Sequence, residues 1–169
     1  MDLNPISKKY TSITSVTFDH SGKNIAYLAS NDTTDAKAYG LYMYSIETKT
    51  TRSVDTSDVR IGSGNSVTEN FDLLFTKDGN YLFFGVDERP EVAKKDTLLD
   101  KEKVEVDIWH YADKRLQSQQ LVELKRDEKR STLFRYRMSD DNIVKLADDT
   151  LYVRLTDNVK GSYLFAAAD

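Results

Sequence analysis

The chain has 169 residues, of which 39% are hydrophobic and 31% are charged. This balance is typical of one soluble domain or a fragment of a larger protein, and it excludes a wholly disordered chain. The net charge of -4 removes the general driving force for nucleic-acid binding. Because the chain has no cysteine, a disulfide framework, a thiolate metal site and a cysteine nucleophile are excluded.

The sequence predicts neither a membrane span nor a secretory signal. Its longest apolar run, Tyr81 to Val86, is six residues long, far short of the roughly 18 that cross a bilayer. The first nine residues lack the apolar centre of a signal peptide. Ten Tyr and seven Phe against only two Pro favour β-strands.

The first recurring element is a hairpin, in which a polar turn containing glycine joins two short apolar runs. Residues 15–30 (SVTFDHSGKNIAYLAS) align without a gap with residues 72–87 (DLLFTKDGNYLFFGVD), at an offset of 57. Gly22 then matches Gly79, and glycine allows the positive φ that such a turn requires. Residues 152–169 follow the same pattern with two extra residues in the turn. The sequence therefore predicts three hairpins.

The second recurring element is an aromatic strand with the order aliphatic, aromatic, variable, Tyr. It occurs at residues 41–44 (LYMY), 108–111 (IWHY) and 133–136 (LFRY). A spacing of two places both aromatic rings on one face of a strand. Polar turns and short outer strands are predicted after the first and third copies, near 51–54 and 143–147.

The order hairpin, aromatic strand, outer strand is the chain path of a propeller blade. The second strand of the hairpin at 72–87 is apolar on both faces, so its sheet must be stacked against neighbours. Blades recur every 40–50 residues or so, so an offset of 57 requires loop insertions, for which 31–39 and 57–70 are candidates. The alternative for two similar hairpins is an unrelated β-sandwich.

These patterns predict an all-β fold, a partial β-propeller with two blade-like four-stranded units and the first hairpin of a third. We place blade 1 at about 13–56, blade 2 at about 67–148 with an insertion at 87–130, and the start of blade 3 at about 150–169. Propellers close with about four to eight blades. We therefore expect a piece of a longer protein, with open sheet faces that allow association.

The start of the predicted insertion, residues 87–105, carries twelve charges of both signs in nineteen residues. This composition is typical of a solvated connection between strands, and the alternative is a charged recognition surface. Pro90 agrees with the first interpretation, because proline is excluded from central strands.

Residues 112–130 fit two interpretations equally well. Leu116, Leu121 and Leu124 would form a weak helical stripe, whereas Val122 and Leu124 would share one face of a strand. Helix and strand both stay open.

The sequence contains no recognisable catalytic, cofactor-binding or metal site. The elbow Gly-x-Ser-x-Gly is absent, and residues 62–66 (GSGNS) have a different spacing and predict a flexible loop. They also lack the lysine of a phosphate-binding loop. His20 lies in the first hairpin turn, and His110 takes the variable position of its strand. Both histidines are interpreted as structural or surface residues.

The remaining polar and aromatic groups also favour ordinary structural roles. Asp140-Asp141 and Asp148-Asp149 fall in predicted turns, where aspartate accepts hydrogen bonds from neighbouring backbone amides. Residues 125–130 (KRDEKR) are only partly basic and contain no aromatic residue, which argues against nucleic-acid binding. Trp109 would suit a carbohydrate platform, but its regular position in the aromatic strand favours core packing.

Two stretches resemble a known family. Residues 75–84 (FTKDGNYLFF) resemble the repeat shared by TolB-type (PD40) periplasmic propellers and by the prolyl oligopeptidase, or S9, family. Residues 106–111 (VDIWHY), with 116–122 (LQSQQLV) and Lys125-Arg126, are similar to the N-terminal propeller of S9 serine peptidases of Bacteroidetes-like bacteria. The resemblance extends from about residue 13 to the end of the chain.

The resemblance implies a periplasmic or otherwise extracytoplasmic dipeptidyl-peptidase-like enzyme of two domains. Its propeller restricts peptide access to an α/β-hydrolase domain that carries a Ser-Asp-His triad. The triad lies in the C-terminal domain, which this sequence does not contain, so no catalytic residue is carried over. No acid here, Asp87 and Glu88 included, maps onto the carboxylates with which some members hold the amino terminus of the substrate.

We therefore expect a non-catalytic propeller segment of an S9-type peptidase, which restricts peptide access to a hydrolase domain and docks on it. The segment alone should hydrolyse nothing. The alternative is a TolB- or WD40-type propeller that acts only as a protein- or ligand-binding scaffold. A third interpretation is a β-domain that closes by dimerising through its open ends.

Overall fold

The computed structural model describes residues 10–54, 61–91, 115–127, 129–147, 151–153 and 166–168. Within these ranges the chain forms eleven β-strands and one α-helix. The strands are β1 (Ser12–Phe18), β2 (Asn24–Ser30), β3 (Gly40–Ser45), β4 (Thr50–Ser53), β5 (Asn65–Val67), β6 (Leu74–Phe75), β7 (Tyr81–Glu88), β8 (Thr132–Arg137), β9 (Asn142–Lys145), β10 (Leu151–Val153) and β11 (Ala166–Ala168), and the helix is α1 (Gln117–Asp127).

The first sheet is an antiparallel meander in the order β1-β2-β3-β4. Its first hairpin turns at Gly22, whose φ of 68° lies in the region that glycine adopts without strain. The edge strand β1 contains a bulge between Thr14 and Thr17, where Ser15 has a φ of 51°. A bulge in an edge strand disrupts the row of free backbone groups that would otherwise pair with another chain.

The second sheet repeats this meander, but its first strand is split in two. Both β5 and β6 pair with β7, which is followed by β8 and β9. The split occurs opposite Gly85, where a Cβ would lie 2.4 Å from the Cβ of Phe71. Because Gly85 has no side chain, the backbone segment around Phe71 can pack directly against the backbone of β7. The sequence predicted one apolar run from Asp72, and the structure limits its paired part to Leu74–Phe75.

The registers of the two sheets confirm the predicted repeat. Phe18 lies opposite Ile25 in the first sheet, and Phe75 lies opposite Leu82 in the second, each at the offset of 57. The aromatic strands also correspond, since β3 and β8 carry the 41–44 and 133–136 copies in matching registers.

The core lies between the sheets, which meet through opposite faces. We call one side of each sheet the forward face and the other side the rear face, because successive side chains of a strand alternate. The forward face carries Ala26 and Leu28 in the first sheet and Phe83 and Gly85 in the second. The rear face carries Ile25 and Tyr27 in the first sheet and Leu82 and Phe84 in the second.

The forward face of the first sheet packs on the rear face of the second. Ala26 and Leu28 share one buried cluster with Leu82 and Phe84. Repeated sheets that stack forward face to rear face leave one face of each kind open for another contact of the same type, which is how propeller blades stack. The chain is a partial β-propeller.

A third antiparallel pair follows the second sheet. Leu151 lies opposite Ala168, so β10 and β11 form the beginning of a further hairpin-like unit. The turn predicted around Gly161 falls outside the described residues.

The insertion between β7 and β8 contains a helix, which decides between the two predicted alternatives. In the first turn of the helix, the Oε1 atom of Gln119 accepts a hydrogen bond of 3.2 Å from the backbone N–H of Leu116. The predicted leucine stripe does not pack, because Leu116 and Leu121 are 71% and 65% exposed. The aromatic copy at 108–111, with Trp109 and His110, falls outside the described residues.

Candidate functional site

A cleft of about 320 Å³ lies at the junction of the two sheets. It is formed by the connection between β2 and β3, the segment after β5, and the end of β7. Four carboxylates and one ammonium group line it. They belong to Asp35, Lys37, Glu69, Asp87 and Glu88.

Backbone pairing positions these side chains. Tyr39 forms an isolated antiparallel bridge with Val67, which joins the two sheets at the floor of the cleft. Ser66 lies opposite Asp87 and Asn65 lies opposite Glu88, so β5 fixes the end of β7. The cleft is therefore part of the sheet framework.

Tyr39 is the buried polar group of the cleft. Burial raises the pKa of its phenol, and the hydrogen bond and negative charge of Glu69 add to this effect, while a hydrogen bond with Ser12 opposes it. The phenol is therefore neutral at neutral pH and serves as a hydrogen-bonding group.

The excess of carboxylates suits a cationic group such as an ammonium, although exposed ion pairs contribute only about 0–1 kcal/mol each. Within the described ranges, no group of three or more His, Asp or Glu side chains is placed to hold a metal ion.

The turn acid Asp19 is buried but fully engaged in local structure. Its Oδ1 accepts hydrogen bonds from the backbone amides of Lys23 and Asn24, at 2.8 and 3.1 Å. Its Oδ2 accepts from the Ser21 hydroxyl and the Asn24 side chain. Burial alone would raise the pKa of Asp19, but these hydrogen bonds outweigh burial and lower it. Asp19 is therefore a structural carboxylate that closes the turn.

The second hairpin closes the same turn with the acid and the hydroxyl exchanged. Thr76 takes the position of Asp19, and Asp78 takes that of Ser21. The Thr76 hydroxyl donates to Asp78 and accepts a hydrogen bond of 3.1 Å from the Tyr81 amide. The Asp78 carboxylate accepts from the Asn80 amide at 3.2 Å. The hydrogen bond from Thr76 lowers the pKa of Asp78.

Asp140 and Asp141 lie in a turn, as predicted, and among the described residues they contact the side chains of Arg52, Tyr136 and Arg137. Asp141 forms a 2.9 Å ion pair with Arg52 of the first sheet and accepts a hydrogen bond from Tyr136. Asp140 forms a 3.2 Å ion pair with Arg137. Asp141 has a φ of 55°, a conformation that aspartate tolerates. Asp141 therefore joins the two sheets, whereas Asp140 pairs with the end of its own strand.

The Arg52 guanidinium also lies 5.8 Å from the centre of the Tyr136 ring. Burial and the hydrogen bond to Asp141 raise the pKa of this tyrosine. Arg52, Tyr136 and Asp141 together form a polar contact at the margin of the apolar interface.

The structure describes some of the other residues that the sequence analysis interpreted as structural, but not all of them. His20 is exposed in the first turn. The end of the predicted loop at 62–66 is part of strand β5, which begins at Asn65. The side-chain amide of Asn65 donates a hydrogen bond of 2.6 Å to the carbonyl oxygen of Ile61. Asp148-Asp149 lies outside the described residues. The predicted absence of catalytic, cofactor and metal sites stays a prediction.

The sequence analysis considered Asp87 and Glu88 but assigned them no role, and it did not single out Asp35, Lys37 or Glu69. Asp35 and Glu69 are common surface types, and they are brought close to Asp87 only by the pairing of β5 with β7 and by the Tyr39 bridge.

Comparison with known proteins identifies no family for this chain. No protein-family model matches it, and no curated protein matches it. Among solved structures, it is similar to TolB from Acinetobacter baumannii, with 12% sequence identity and a TM-score of 0.43. The similarity covers 92% of this chain and 29% of that one, so this chain spans less than a third of the TolB length. The propeller assignment rests on the two sheets and their stacking.

Among the described residues, no helix combines the length and the apolar character needed to cross a bilayer.

Proposed function

We propose that this chain is a non-catalytic propeller segment of an S9-type serine peptidase. In this role it restricts peptide access to a C-terminal α/β-hydrolase domain and docks on that domain. The stacking of two repeated sheets, forward face to rear face, is the observation that supports the propeller part of the proposal. The resemblance of residues 106–111, 116–122 and Lys125-Arg126 supports the peptidase part.

The blade boundaries predicted from the sequence are kept as a proposal, with β5 (Asn65–Val67) beginning two residues before blade 2. Blade 1 spans about 13–56, blade 2 spans about 67–148 with the insertion 87–130, and blade 3 begins at about 150–169. In a propeller the first strand of each blade is nearest the axis, which places β1 and the β5-β6 pair along the channel. Rigid sheets around a channel exclude folded proteins and admit extended peptides, which is the physical basis of the proposed restriction. A periplasmic location is proposed on the resemblance.

The second candidate function is a binding propeller of the TolB or WD40 type. The acidic cleft supports it, because a cation-binding site between two sheets requires no hydrolase domain. Fluorescence anisotropy with a labelled lysine-rich peptide, and a glutamate-rich peptide as control, tests this function. We expect the double variant Asp87→Asn, Glu88→Gln to weaken binding of the lysine-rich peptide. Equal binding of both peptides would contradict a role for the carboxylates.

The deciding experiment is to sequence the native gene beyond the codon for Asp169. Further hairpin repeats followed by Gly-x-Ser-x-Gly, an Asp and a His would support the peptidase proposal. Repeats that complete a propeller and then stop would favour the binding scaffold. The purified 169-residue chain should not cleave aminoacyl-proline or dipeptide chromogenic substrates. Activity that survives repeated purification would contradict the assignment as a non-catalytic segment.

A further inference from the structure

The second hairpin turn contains an aspartate that is followed directly by a glycine, Asp78-Gly79. This pair of residues is the most susceptible to isoaspartate formation, because glycine has no side chain to hinder attack by its own backbone nitrogen. The sequence contains no other Asp-Gly pair and no Asn-Gly pair. Asp78 is exposed, so the water that the reaction consumes can reach it.

Isoaspartate forms in two steps. In the first step the backbone nitrogen of Gly79 attacks Cγ of Asp78. The nitrogen loses its proton and Cγ loses a hydroxyl group, which leave together as water, and a cyclic succinimide is formed. In the second step water opens the ring at either carbonyl, which gives aspartate or isoaspartate. The first step uses the neutral carboxyl group, because a hydroxyl group leaves far more readily than an oxide.

The folded turn engages both reacting groups. The Gly79 amide donates a hydrogen bond of 2.9 Å to the carbonyl oxygen of Thr76. Oδ1 of Asp78 accepts hydrogen bonds from the Thr76 hydroxyl and from the backbone amide of Asn80, and Oδ2 accepts one of 2.8 Å from the Asn80 side chain. These bonds direct the carboxylate away from its own peptide bond. The hydrogen bond from Thr76 also lowers the pKa of Asp78, which reduces the neutral fraction that reacts.

The turn itself requires the glycine. Gly79 has a φ of 69°, a conformation that other residues adopt only with strain. Replacing it would remove the susceptible pair and would also destabilise the hairpin. The first hairpin avoids the problem in another way, because Ser21 precedes Gly22 and the acid of that turn, Asp19, lies farther from the glycine. In the second hairpin, protection must come from the neighbours of Asp78.

We propose that Asp78-Gly79 is a site of isoaspartate formation that the folded turn protects, and that the Thr76 hydroxyl is the protecting group. Thr76 is fully buried, so its hydroxyl is fixed on the carboxylate. Isoaspartate carries the backbone through the side chain and adds one methylene group to the turn. Because turn geometry sets the register of a hairpin, this modification would disturb the pairing of β6 with β7. The inference does not depend on the proposed function.

Peptide mapping by mass spectrometry, with electron-transfer fragmentation to distinguish isoaspartate from aspartate, measures the reaction in the folded 169-residue chain at neutral pH. A synthetic peptide of residues 72–84 is the unprotected reference. We expect isoaspartate to form at least about tenfold more slowly in the folded chain than in the peptide, the ratio that corresponds to one hydrogen bond to a charged group. Equal rates in the chain and the peptide would overturn the proposal.

Two substitutions at one position test the role of the hydroxyl. Thr76→Val removes it from a side chain of similar shape and should raise the rate about tenfold. Thr76→Ser keeps the hydroxyl and should leave the rate near that of the wild type. A Thr76→Val rate equal to that of the wild type, or a Thr76→Ser rate equal to that of Thr76→Val, would overturn the assignment of the hydroxyl as the protecting group.

A control variant separates local protection from overall stability. Val67→Ala removes buried apolar volume outside the turn and should leave the isoaspartate rate of the folded chain unchanged. If it raises the rate as much as Thr76→Val does, overall stability provides the protection and the assignment to Thr76 is wrong. Urea unfolding must show that Thr76→Val is folded. If it is not, Asn80→Ala takes its place, because Asn80 is exposed and donates to Oδ2 of Asp78; an unchanged rate in that variant would overturn protection by the turn.

Discussion

Replacing Gly85 with alanine tests the packing that splits the first strand of the second sheet. The new Cβ would lie 2.4 Å from the Cβ of Phe71 and 2.8 Å from the Ser131 hydroxyl oxygen. Carbon atoms in contact are normally about 3.5–4.0 Å apart, so the first distance is short by at least about 1 Å. Ser131 can rotate its hydroxyl away. The Phe71 Cβ is attached directly to the backbone, so the segment between β5 and β6 must shift.

We expect Gly85→Ala to lower the free energy of unfolding by about 2–3 kcal/mol, the upper part of the range for overpacked cores. For a domain of this size, that corresponds to a fall in Tm of about 4–12 °C. Urea unfolding followed by far-UV circular dichroism measures the change. The control is Gly64→Ala, because a Cβ there meets nothing within 4 Å, and its effect should stay within about 0.5 kcal/mol.

Equal stability of the two variants would refute the reasoning. It would mean that Phe71 does not pack closely over Gly85. A lower m-value without a shift in the urea midpoint would instead indicate a change in compactness of the folded or unfolded chain.

The remaining predictions concern the interface, the repeat and the pH dependence. Arg52→Ala should lower the free energy of unfolding by only about 0.5–1 kcal/mol, because both members of its ion pair with Asp141 are about half exposed. A double-mutant cycle with Asp141→Asn, measured by urea unfolding, should return a coupling energy in that range, and a coupling energy of zero would show that the ion pair does not stabilise the fold. Phe75→Ala should lower the free energy of unfolding by about 3–5 kcal/mol, since the Phe75 side chain is 9% exposed. Phe18→Ala at the equivalent position of the first sheet should leave the free energy of unfolding nearly unchanged. Similar losses for the two variants would contradict the stacking of the sheets through opposite faces. Folding lowers the pKa of Asp19, so the stabilisation by its carboxylate is present above the unfolded pKa of about 3.9 and is lost as the pH falls through the folded pKa. Asp19→Asn should therefore flatten the fall of the urea midpoint below about pH 4.5. An unchanged slope would show that other carboxylates cause the fall.

The hairpins were predictable because their determinants are local. Gly22 and Gly79 have φ values of 68° and 69°, and only glycine adopts this conformation at no steric cost. Apolar alternation on either side of each turn then fixes the register. The same local rules place β3 next to the first hairpin.

The aromatic pattern alone does not choose between the similar strands, and only the predicted insertion at 87–130 left the copy at 133–136 to complete the second sheet. Residues 108–111 and 133–136 carry the same pattern, and their sequences do not say which one pairs with β7. The structure pairs β7 with β8, which contains Leu133 and Phe134. Tertiary packing made this choice, since Phe134 completes the buried cluster between the sheets.

The sequence analysis left the helix undecided and did not find the cleft, for different reasons. Helix α1 has no buried stripe, because Leu121 and Val122 are 65% and 83% exposed. Without burial there is no constraint on periodicity, so the pattern was ambiguous. The cleft depends on Tyr39 and Glu69 meeting across two sheets, and no motif links residues from separate repeats.

The exchanged acid and hydroxyl in the two hairpin turns constrain how these repeats diverged. If both descend from one ancestral turn, Asp19 with Ser21 and Thr76 with Asp78 are separated by two substitutions. If the serine is replaced first, the intermediate turn carries two carboxylates two residues apart, which repel each other. The other order of events passes through two hydroxyls, which remain able to hydrogen-bond each other and the backbone. Whichever turn came first, the exchange is therefore easier through the intermediate with two hydroxyls than through the one with two carboxylates.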